Sequence, residues 1–416
     1  MTTAPTATGL TVLDMAQAGR FAEIRELFAP PLRAMVPPEA LQAAWAAEIG
    51  RRGPVTSIGA PVSDQAAPGV TVVRIPVTFE RGELTVVVSV TGDGWLAGIQ
   101  LAPASAAEPA GPWEPPPYAD PGKFEEQDVT LGSGPLAVPG TLSLPRQGGP
   151  LPAVVLLSGS GPNDRDETVG QNKPFKDLAW GLASRGVAML RFEKVTYAHG
   201  KEVVQDRGFT VSDEYLPQAI AAIHLLQEHP DVDAGRVFLA GHSLGGTIAP
   251  RVAAAQCIGC VPPAMMTSPA IDGSAAASEP TIEALTRQAK TVDNPDLSPS
   301  TPDSELPFGV PAPYWLDLRG YHPAATAAGL DKPILIIQGG RDYQVTIADD
   351  LGAWKAALDG RPGVTIRVYD ADNHLFVPGS GPSGPAEYET PQHMDPAVVA
   401  DIADWLATVI PAPTAP

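Results

Sequence analysis

Positive charge and long apolar runs are scarce in this sequence. Its 27 Lys and Arg residues face 47 Asp and Glu residues, for a formal net charge of −20. That excess argues against nucleic acid or an anionic membrane surface as a partner, and we attribute it to solubility. No apolar run approaches the roughly 18 residues that a membrane-spanning helix requires. The N-terminal residues lack the basic and apolar segments of a secretory signal, so we expect a cytoplasmic protein.

Cysteine is scarcer still, since the chain has two cysteines, Cys257 and Cys260. Their C-x-x-C spacing supplies half of a zinc site, but no other Cys or His lies nearby to complete it. A redox pair is an alternative. Since both fall near the predicted end of a helix, we favour a packing role and predict no metal site.

The 416 residues suggest two or three domains. Residues 1–101 are predicted to form a small α+β domain, because apolar residues recur first at helical spacing and then at strand spacing. Residues 102–123 are rich in Pro and Ala, which indicates a semi-rigid linker.

Strands and helices alternate from residue 124 to residue 416, which predicts an α/β domain with a doubly wound, mostly parallel sheet. Two strands near residues 128–131 and 140–144 predict an antiparallel start, and a later helix is expected to be capped by Ser212. Residues 272–330 interrupt the alternation. Because ligands bind at the C-terminal edge of such sheets, we predict that this insertion forms a cap over the site. A disordered surface loop is the alternative, above all for residues 291–306.

The strongest functional signal is G-x-S-x-G at residues 241–245, directly behind the apolar run 237–240. A serine hydroxyl is a weak nucleophile unless the backbone holds it exposed beside a base. A tight strand-to-helix turn does this, and it needs Gly on both sides because side chains there would collide. We therefore predict that Ser243 is a nucleophile. The alternative is a Gly-rich turn without chemistry.

A nucleophilic serine needs a base and an acid that orients the base. In sheets of this type the chain order is Ser, then Asp or Glu, then His. Asp342 follows the predicted strand 334–337 and His374 follows the strand 364–368, which fits that order. We predict that Asp342 orients His374. The weaker alternatives are His393 as the base and Asp370 or Asp372, expected to be solvated or loop-capping, as the acid.

Backbone amides are the predicted oxyanion donors. One is the N–H of Leu244, and the other should come from the loop after the first buried strand, residues 158–166. The glycines of this loop let the backbone approach a tetrahedral intermediate, so we assign the second donor to Ser160. An ordinary flexible turn is the alternative.

Five stretches of the sequence are more specific than the elbow pattern alone, or extend it: Gly159–Glu167, Asn172–Phe175, Gly241–Gly246, Ala312–Trp315 and Gly340–Val345. Together they resemble the α/β-hydrolase superfamily of serine esterases, and the resemblance covers nearly all of residues 124–410. In residues 1–101, Phe79–Leu84 and the strand at Ala97-Gly98 more weakly resemble the DUF3887 domain, with its NTF2- or cystatin-like fold.

The resemblance implies hydrolysis of carboxylic esters without a cofactor. It implies that Tyr314 and Trp315 lie in the cap near the substrate, and we add His242, inside the elbow, as a third candidate substrate-binding residue. The sequence departs from the family's His-Gly-Ser-Gly pattern at Ser158, which stands where that His belongs.

We therefore predict an enzyme, a serine hydrolase that cleaves small or medium acyl esters through an acyl-enzyme. Acyl transfer, or release or cyclisation of a thioester intermediate, is the alternative, and a non-catalytic binding protein is a weaker one. The expected partner is a small-molecule ester or thioester, with no nucleic acid and no membrane, and a homodimer is left open.

Overall fold

The computed structural model describes residues 4–29, 33, 36, 38–67, 69–107, 113–255 and 279–409. The chain divides into two compact units. The first takes its described residues from 1–112 and 273–312, and the second takes them from 113–272 and 313–416. Cys257 and Cys260, and hence the prediction of their packing role, lie outside the described residues.

The first unit combines helices with a five-stranded antiparallel sheet. Strands β3 and β4 are paired along their whole length, and their register places the turn at Glu80-Arg81. The predicted order of helices followed by strands is confirmed, whereas β1 and β2, which both pair with β3, were not predicted. The elements are α1 (Pro5–Gln17), α2 (Phe21–Glu26), α3 (Pro38–Arg52), β1 (Val55–Ile58), β2 (Val62–Ala67), β3 (Val70–Phe79), β4 (Gly82–Thr91) and β5 (Leu96–Ala102).

The segment predicted as a cap, residues 272–330, does not belong to one unit. Its described residues up to 312 group with the first unit, and those from 313 onward group with the second. The described part of the segment contains α9 (Glu279–Asp293), and this helix contacts α3. Because α3 belongs to the first unit, this contact explains why the first half of the segment groups with that unit.

The second unit has the predicted α/β architecture. Its main sheet has the strand order β10-β8-β9-β7-β6, and β11 and β12 form a parallel pair. The antiparallel start is confirmed, since β6 pairs with β7 and β7 with β9 in antiparallel fashion, while β8 pairs in parallel with β9 and β10. The strands are β6 (Phe124–Leu131), β7 (Val138–Pro145), β8 (Leu151–Leu157), β9 (Ala188–Phe192), β10 (Val232–Gly241), β11 (Ile334–Gly339) and β12 (Val364–Tyr369).

Helices cover both faces of this sheet. Val155 and Leu157 of β8 pack in the cluster that contains α7 and α8, whereas Val154 and Leu156 pack in the cluster that contains α4 and α13. Successive residues of a strand face opposite sides, so β8 is buried on both. The helices are α4 (Pro174–Ala183), α5 (Val195–Ala198), α6 (Gly200–Gln205), α7 (Val211–Glu228), α8 (Leu244–Ala255), α10 (Ala312–Arg319), α11 (Pro323–Ala328), α12 (Gly352–Leu358) and α13 (Pro396–Thr408).

The start of α7 corrects one prediction. Its N-cap is Thr210, whose side chain accepts the N–H of Asp213 in a capping box. Ser212, predicted as the cap, instead donates its N–H and its hydroxyl to the Asp317 carboxylate. Among the described residues, no helix is both long and apolar enough to cross a membrane.

The C-terminal part of the predicted linker is attached to the second unit. The indole N–H of Trp113 donates to the Asp177 carboxylate of α4 over 3.0 Å. Asp177 also accepts the backbone N–H of Met394 and lies 3.1 Å from Nδ1 of His393. This buried carboxylate therefore joins three parts of the unit that are far apart in sequence.

Candidate active site

Ser243 sits on a tight turn between β10 and α8, and its φ angle is +51°. Residues with a side chain rarely adopt a positive φ, so the turn is strained and the surrounding structure must hold it. A Cβ atom on Gly241 would overlap the Gly245 backbone, and one on Gly245 would overlap the Leu157 carbonyl. Both glycines of G-x-S-x-G are therefore required by backbone contacts.

Asp342 and His374 are brought together at the ends of β11 and β12. Nδ1 of His374 donates to Oδ2 of Asp342 over 2.7 Å, and both side chains are buried. Oδ1 of Asp342 accepts the N–H groups of Gln344 and Val345, each at 2.9 Å. Because the carboxylate holds the proton on Nδ1, the other ring nitrogen, Nε2, is left as the acceptor.

The two loops that carry these residues are closely packed. A Cβ on Gly339 would overlap the Asn373 carbonyl, so β11 can end this close to the His374 loop because residue 339 is glycine. The Asn373 carboxamide oxygen accepts the N–H groups of Leu375 and Val377, at 3.0 and 3.1 Å. These bonds fix the turn that carries the imidazole.

His242 joins the elbow to the His374 loop. Its Nε2 donates to the His374 carbonyl over 2.9 Å, and its Nδ1 lies 3.1 Å from Oε1 of Glu167. Burial alone would lower the pKa of His242, but the Glu167 carboxylate outweighs it and the pKa is raised. Since both ring nitrogens face acceptors, the imidazolium suits this position. These contacts hold the ring in place, and its role toward substrate stays a prediction.

The loop after β8 lies against Ser243. A Cβ on Gly159 would be 3.0 Å from Cβ of Ser243, so backbone atoms of this loop reach the elbow. The Gly159 N–H donates to Oε1 of Glu167 over 2.5 Å. By contrast, the N–H groups of Ser160 and Leu244 make no hydrogen bond to an acceptor in the described part of the chain. The two predicted oxyanion donors therefore remain available.

Tyr314 and Trp315 lie at the start of α10 in the second unit. The Tyr314 hydroxyl donates to Oε2 of Glu214 over 2.7 Å, and burial together with this carboxylate raises its pKa well above the ordinary value. The two rings are 5.8 Å apart and tilted edge to face. Their role toward substrate stays a prediction.

The rival residues have other surroundings. His393 is paired with Asp177 rather than with Asp342. Asp370 is exposed, but Asp372 is fully buried, so the expectation of a solvated Asp372 was wrong. Burial and the nearby Asp395 raise the pKa of Asp372 to about 7, although Arg341 opposes the shift. No group of three or more His, Cys, Asp or Glu residues in the described ranges is placed to hold a metal ion.

Sequence reasoning missed three residues that hold the loop after β8, namely Glu167, Lys194 and Tyr215. Lys194 donates to the Gly159 and Gly161 carbonyls, and the Tyr215 hydroxyl donates to the Ser158 and Gly159 carbonyls. Lys194 comes directly after β9, at the same sheet edge as the other site residues. That position at the end of a strand was the sequence signal by which Lys194 could have been found.

Comparisons with known proteins find one relative of high identity and several similar solved structures. Over 341 residues the chain is 39% identical to esterase EstD of Thermotoga maritima, a match that spans 79% of this chain and 77% of that protein. A dienelactone hydrolase structure from Anabaena variabilis is 19% identical over 68% of this chain and 98% of its own, with a TM-score of 0.39. Est1E from Butyrivibrio proteoclasticus is 17% identical over 68% of this chain and 99% of its own, with a TM-score of 0.43.

No family model matches the chain, so the resemblance of residues 1–101 to DUF3887 stays a prediction. The match to EstD is both long and well above the identity at which relatedness is in question. The chain belongs to the esterase family of which Thermotoga maritima EstD is a member.

Proposed function

We propose that this protein is a serine hydrolase that cleaves carboxylic esters of small or medium acyl substrates through an acyl-enzyme on Ser243. The observation that carries the proposal is the buried hydrogen bond of 2.7 Å between His374 and Asp342, together with the positive φ of Ser243. A serine on a strained turn and an imidazole oriented by a carboxylate are the two parts that activate a hydroxyl nucleophile.

The reaction begins when the Ser243 hydroxyl attacks the ester carbonyl. Nε2 of His374 takes the hydroxyl proton and then gives it to the leaving alcohol. Asp342 keeps the imidazole in the required tautomer and stabilises its cation. Water, activated by the same imidazole, then attacks the acyl-enzyme and releases the acid.

The tetrahedral intermediates carry a negative charge on the former carbonyl oxygen. The N–H groups of Ser160 and Leu244 stabilise this charge, because neither is used by an acceptor in the described part of the chain. No metal or organic cofactor takes part in these steps.

A fluorophosphonate probe tests the nucleophile. Wild type should be labelled on the tryptic peptide that contains Ser243, and Ser243→Ala should lose both the label and hydrolysis of p-nitrophenyl butyrate, by at least about 10³-fold in kcat. Ser184→Ala, which changes a serine at the end of α4, is the matched control and should behave as wild type. A folded wild-type protein that is neither labelled nor active would refute the proposal.

Water is the proposed acyl acceptor. Turnover of the ester in the presence of increasing methanol or hydroxylamine, with product analysis by mass spectrometry, separates hydrolysis from acyl transfer. Free acid as the main product at low added nucleophile is the expected result. Preferential formation of the methyl ester or hydroxamate under those conditions would favour a transferase instead.

A further inference from the structure

The carbonyl of Gly159 is an unusually crowded hydrogen-bond acceptor. It accepts Nζ of Lys194 at 2.8 Å, the Tyr215 hydroxyl at 3.0 Å and Nδ2 of Asn163 at 3.0 Å. A carbonyl oxygen has two lone pairs, so three donors saturate it. Asn163 comes from the same loop, Lys194 follows β9 and Tyr215 lies on α7. Separate parts of the unit thus converge on one atom.

This carbonyl belongs to the same peptide group as the Ser160 N–H. The group is trans, and in a trans peptide the C=O and N–H bonds point in opposite directions within one plane. Anchoring the oxygen on one side therefore fixes the direction of the N–H on the other. The preceding peptide group, between Ser158 and Gly159, is also fixed, because its N–H, that of Gly159, donates to the Glu167 carboxylate.

We propose that Lys194, Tyr215 and Asn163 are positioning residues that aim and polarise the Ser160 N–H as an oxyanion donor. We refer to these three residues as the carbonyl clamp. The inference rests on the proposed function, and it assigns a role in transition-state binding to residues that do not themselves touch the substrate.

The charge of Lys194 gives the clamp more than a geometric effect. The ammonium group is buried, and it has three acceptors, the Gly159 carbonyl, the Gly161 carbonyl at 3.0 Å and Oε1 of Glu214 at 3.2 Å. A cation on the carbonyl oxygen draws electron density through the peptide group and makes the N–H a stronger donor. Hydrogen bonds from Thr196 and Tyr314, each at 2.7 Å, hold Glu214 in place.

The Tyr215 hydroxyl offers the cleanest way to weaken the clamp. The side chain is 2% exposed, and its hydroxyl donates to the Ser158 and Gly159 carbonyls. Tyr215→Phe removes this donor and keeps the ring. Tyr369→Phe is the matched control, because the Tyr369 hydroxyl makes a comparable bond, of 2.8 Å, to Asp401 of α13.

For Tyr215→Phe we expect kcat for p-nitrophenyl butyrate to fall about tenfold with KM within twofold, because the loss occurs in the transition state. The inhibition constant of an alkylboronic acid, whose adduct with Ser243 places an anionic oxygen at the same donors, should rise by a similar factor. Tyr369→Phe should change neither quantity. Equal losses of thermal stability with unchanged kcat in both variants would overturn the proposal.

Two further variants keep the test decisive. Lys194→Met should lower kcat more than Tyr215→Phe does, by about 100-fold, because it removes the charge as well as a donor. If that variant fails to fold, Asn163→Ala removes a donor from a surface loop, and it should lower kcat severalfold at constant KM. An unchanged kcat in Asn163→Ala together with an unchanged kcat in Tyr215→Phe would refute the clamp.

A spectroscopic measurement separates this inference from the proposed function. In protein labelled with ¹⁵N-serine, the Ser160 amide proton, assigned by Ser160→Ala, should move upfield in Tyr215→Phe and stay in place in Tyr369→Phe. This shift needs no turnover. Absence of fluorophosphonate labelling in wild type would refute the proposed function, whereas an unmoved Ser160 resonance would refute the clamp.

Discussion

The two sides of the candidate site are held in different ways. On the side of the loop after β8, buried charged groups hold the backbone, because Glu167 accepts the Gly159 N–H and Lys194 donates to the Gly159 carbonyl. On the side of β11 and β12, nearby backbone N–H groups fix the Asp342 carboxylate and the Asn373 side chain. Asp342 and His374 are therefore held by residues close to them in sequence, whereas the loop after β8, which carries one proposed oxyanion donor, is also held by residues from other elements.

This difference predicts different sensitivities. A buried charge whose partner is removed is left uncompensated, so single changes on the oxyanion side should cost stability as well as rate. On the side of β11 and β12, a conservative change such as Asp342→Asn keeps a side-chain oxygen that can accept the N–H groups of Gln344 and Val345. Such a change should cost rate and little stability.

The largest expected effect is on the acid–base side. Asp342→Asn should lower kcat by about 10³- to 10⁴-fold, because the amide no longer selects the required imidazole tautomer. KM and the melting temperature should change little. Asp349→Asn, in the turn that follows, is the control and should keep wild-type kcat. More than a tenth of wild-type activity in Asp342→Asn would contradict the assignment of the acid.

A buried ion pair next to the oxyanion loop should give the largest loss of stability. Arg191 is 2% exposed and donates to Asp166 at 2.8 Å and to Glu126 at 2.6 Å. Arg191→Met leaves both carboxylates without it and should lower the free energy of unfolding by about 3–5 kcal/mol in urea denaturation. Arg146→Met breaks an exposed pair with Glu125 and should cost under about 1 kcal/mol. Equal losses in the two variants would show that the buried pair is not worth more than the exposed one.

Asp372 gives a pH-dependent effect of intermediate size. Its pKa is raised to about 7 in the fold, so the folded protein retains a proton that the unfolded chain releases near pH 4. Wild type should therefore lose stability relative to Asp372→Asn as the pH rises from about 4 to about 7, with a constant difference above that. Thermal unfolding at pH 5 and pH 8 checks this, with exposed Asp370→Asn as the control. A difference that shrinks at pH 8 would show that the carboxyl is not protonated in the fold.

The smallest expected effect concerns the helix that carries Tyr215. Thr210→Ala removes the N-cap of α7 and should lower the free energy of unfolding by about 1 kcal/mol. Because the clamp depends on side-chain contacts, kcat should stay within twofold of wild type. A tenfold loss of kcat in Thr210→Ala would indicate that the clamp depends on the start of the helix instead.

Local patterns explain what could be predicted from the sequence. Ser243 is identified by a strand, a turn and a helix that are contiguous, and Asp342 and His374 follow strands that are strongly apolar. The strands β1 and β2 were missed because they are short and largely polar, with little apolar alternation. Lys194 was missed although it lies at a strand end, whereas nothing near Tyr215 in the sequence marks its contact with Gly159. The cap role of residues 272–330 stays a prediction. Their division between two units was not predicted, because the sequence of α9 does not reveal which body its helix contacts.

The Asp177 carboxylate also bears on how this chain can be divided. It accepts hydrogen bonds from Trp113, at one end of the second unit, and from Met394, near the other end. The carboxylate therefore links the two ends of the unit. A fragment that starts at residue 124, where the alternating pattern begins, would leave out Trp113 and expose the face of α4 that it covers. Fragments for separate expression should therefore start before Trp113, even though the first strand begins at Phe124.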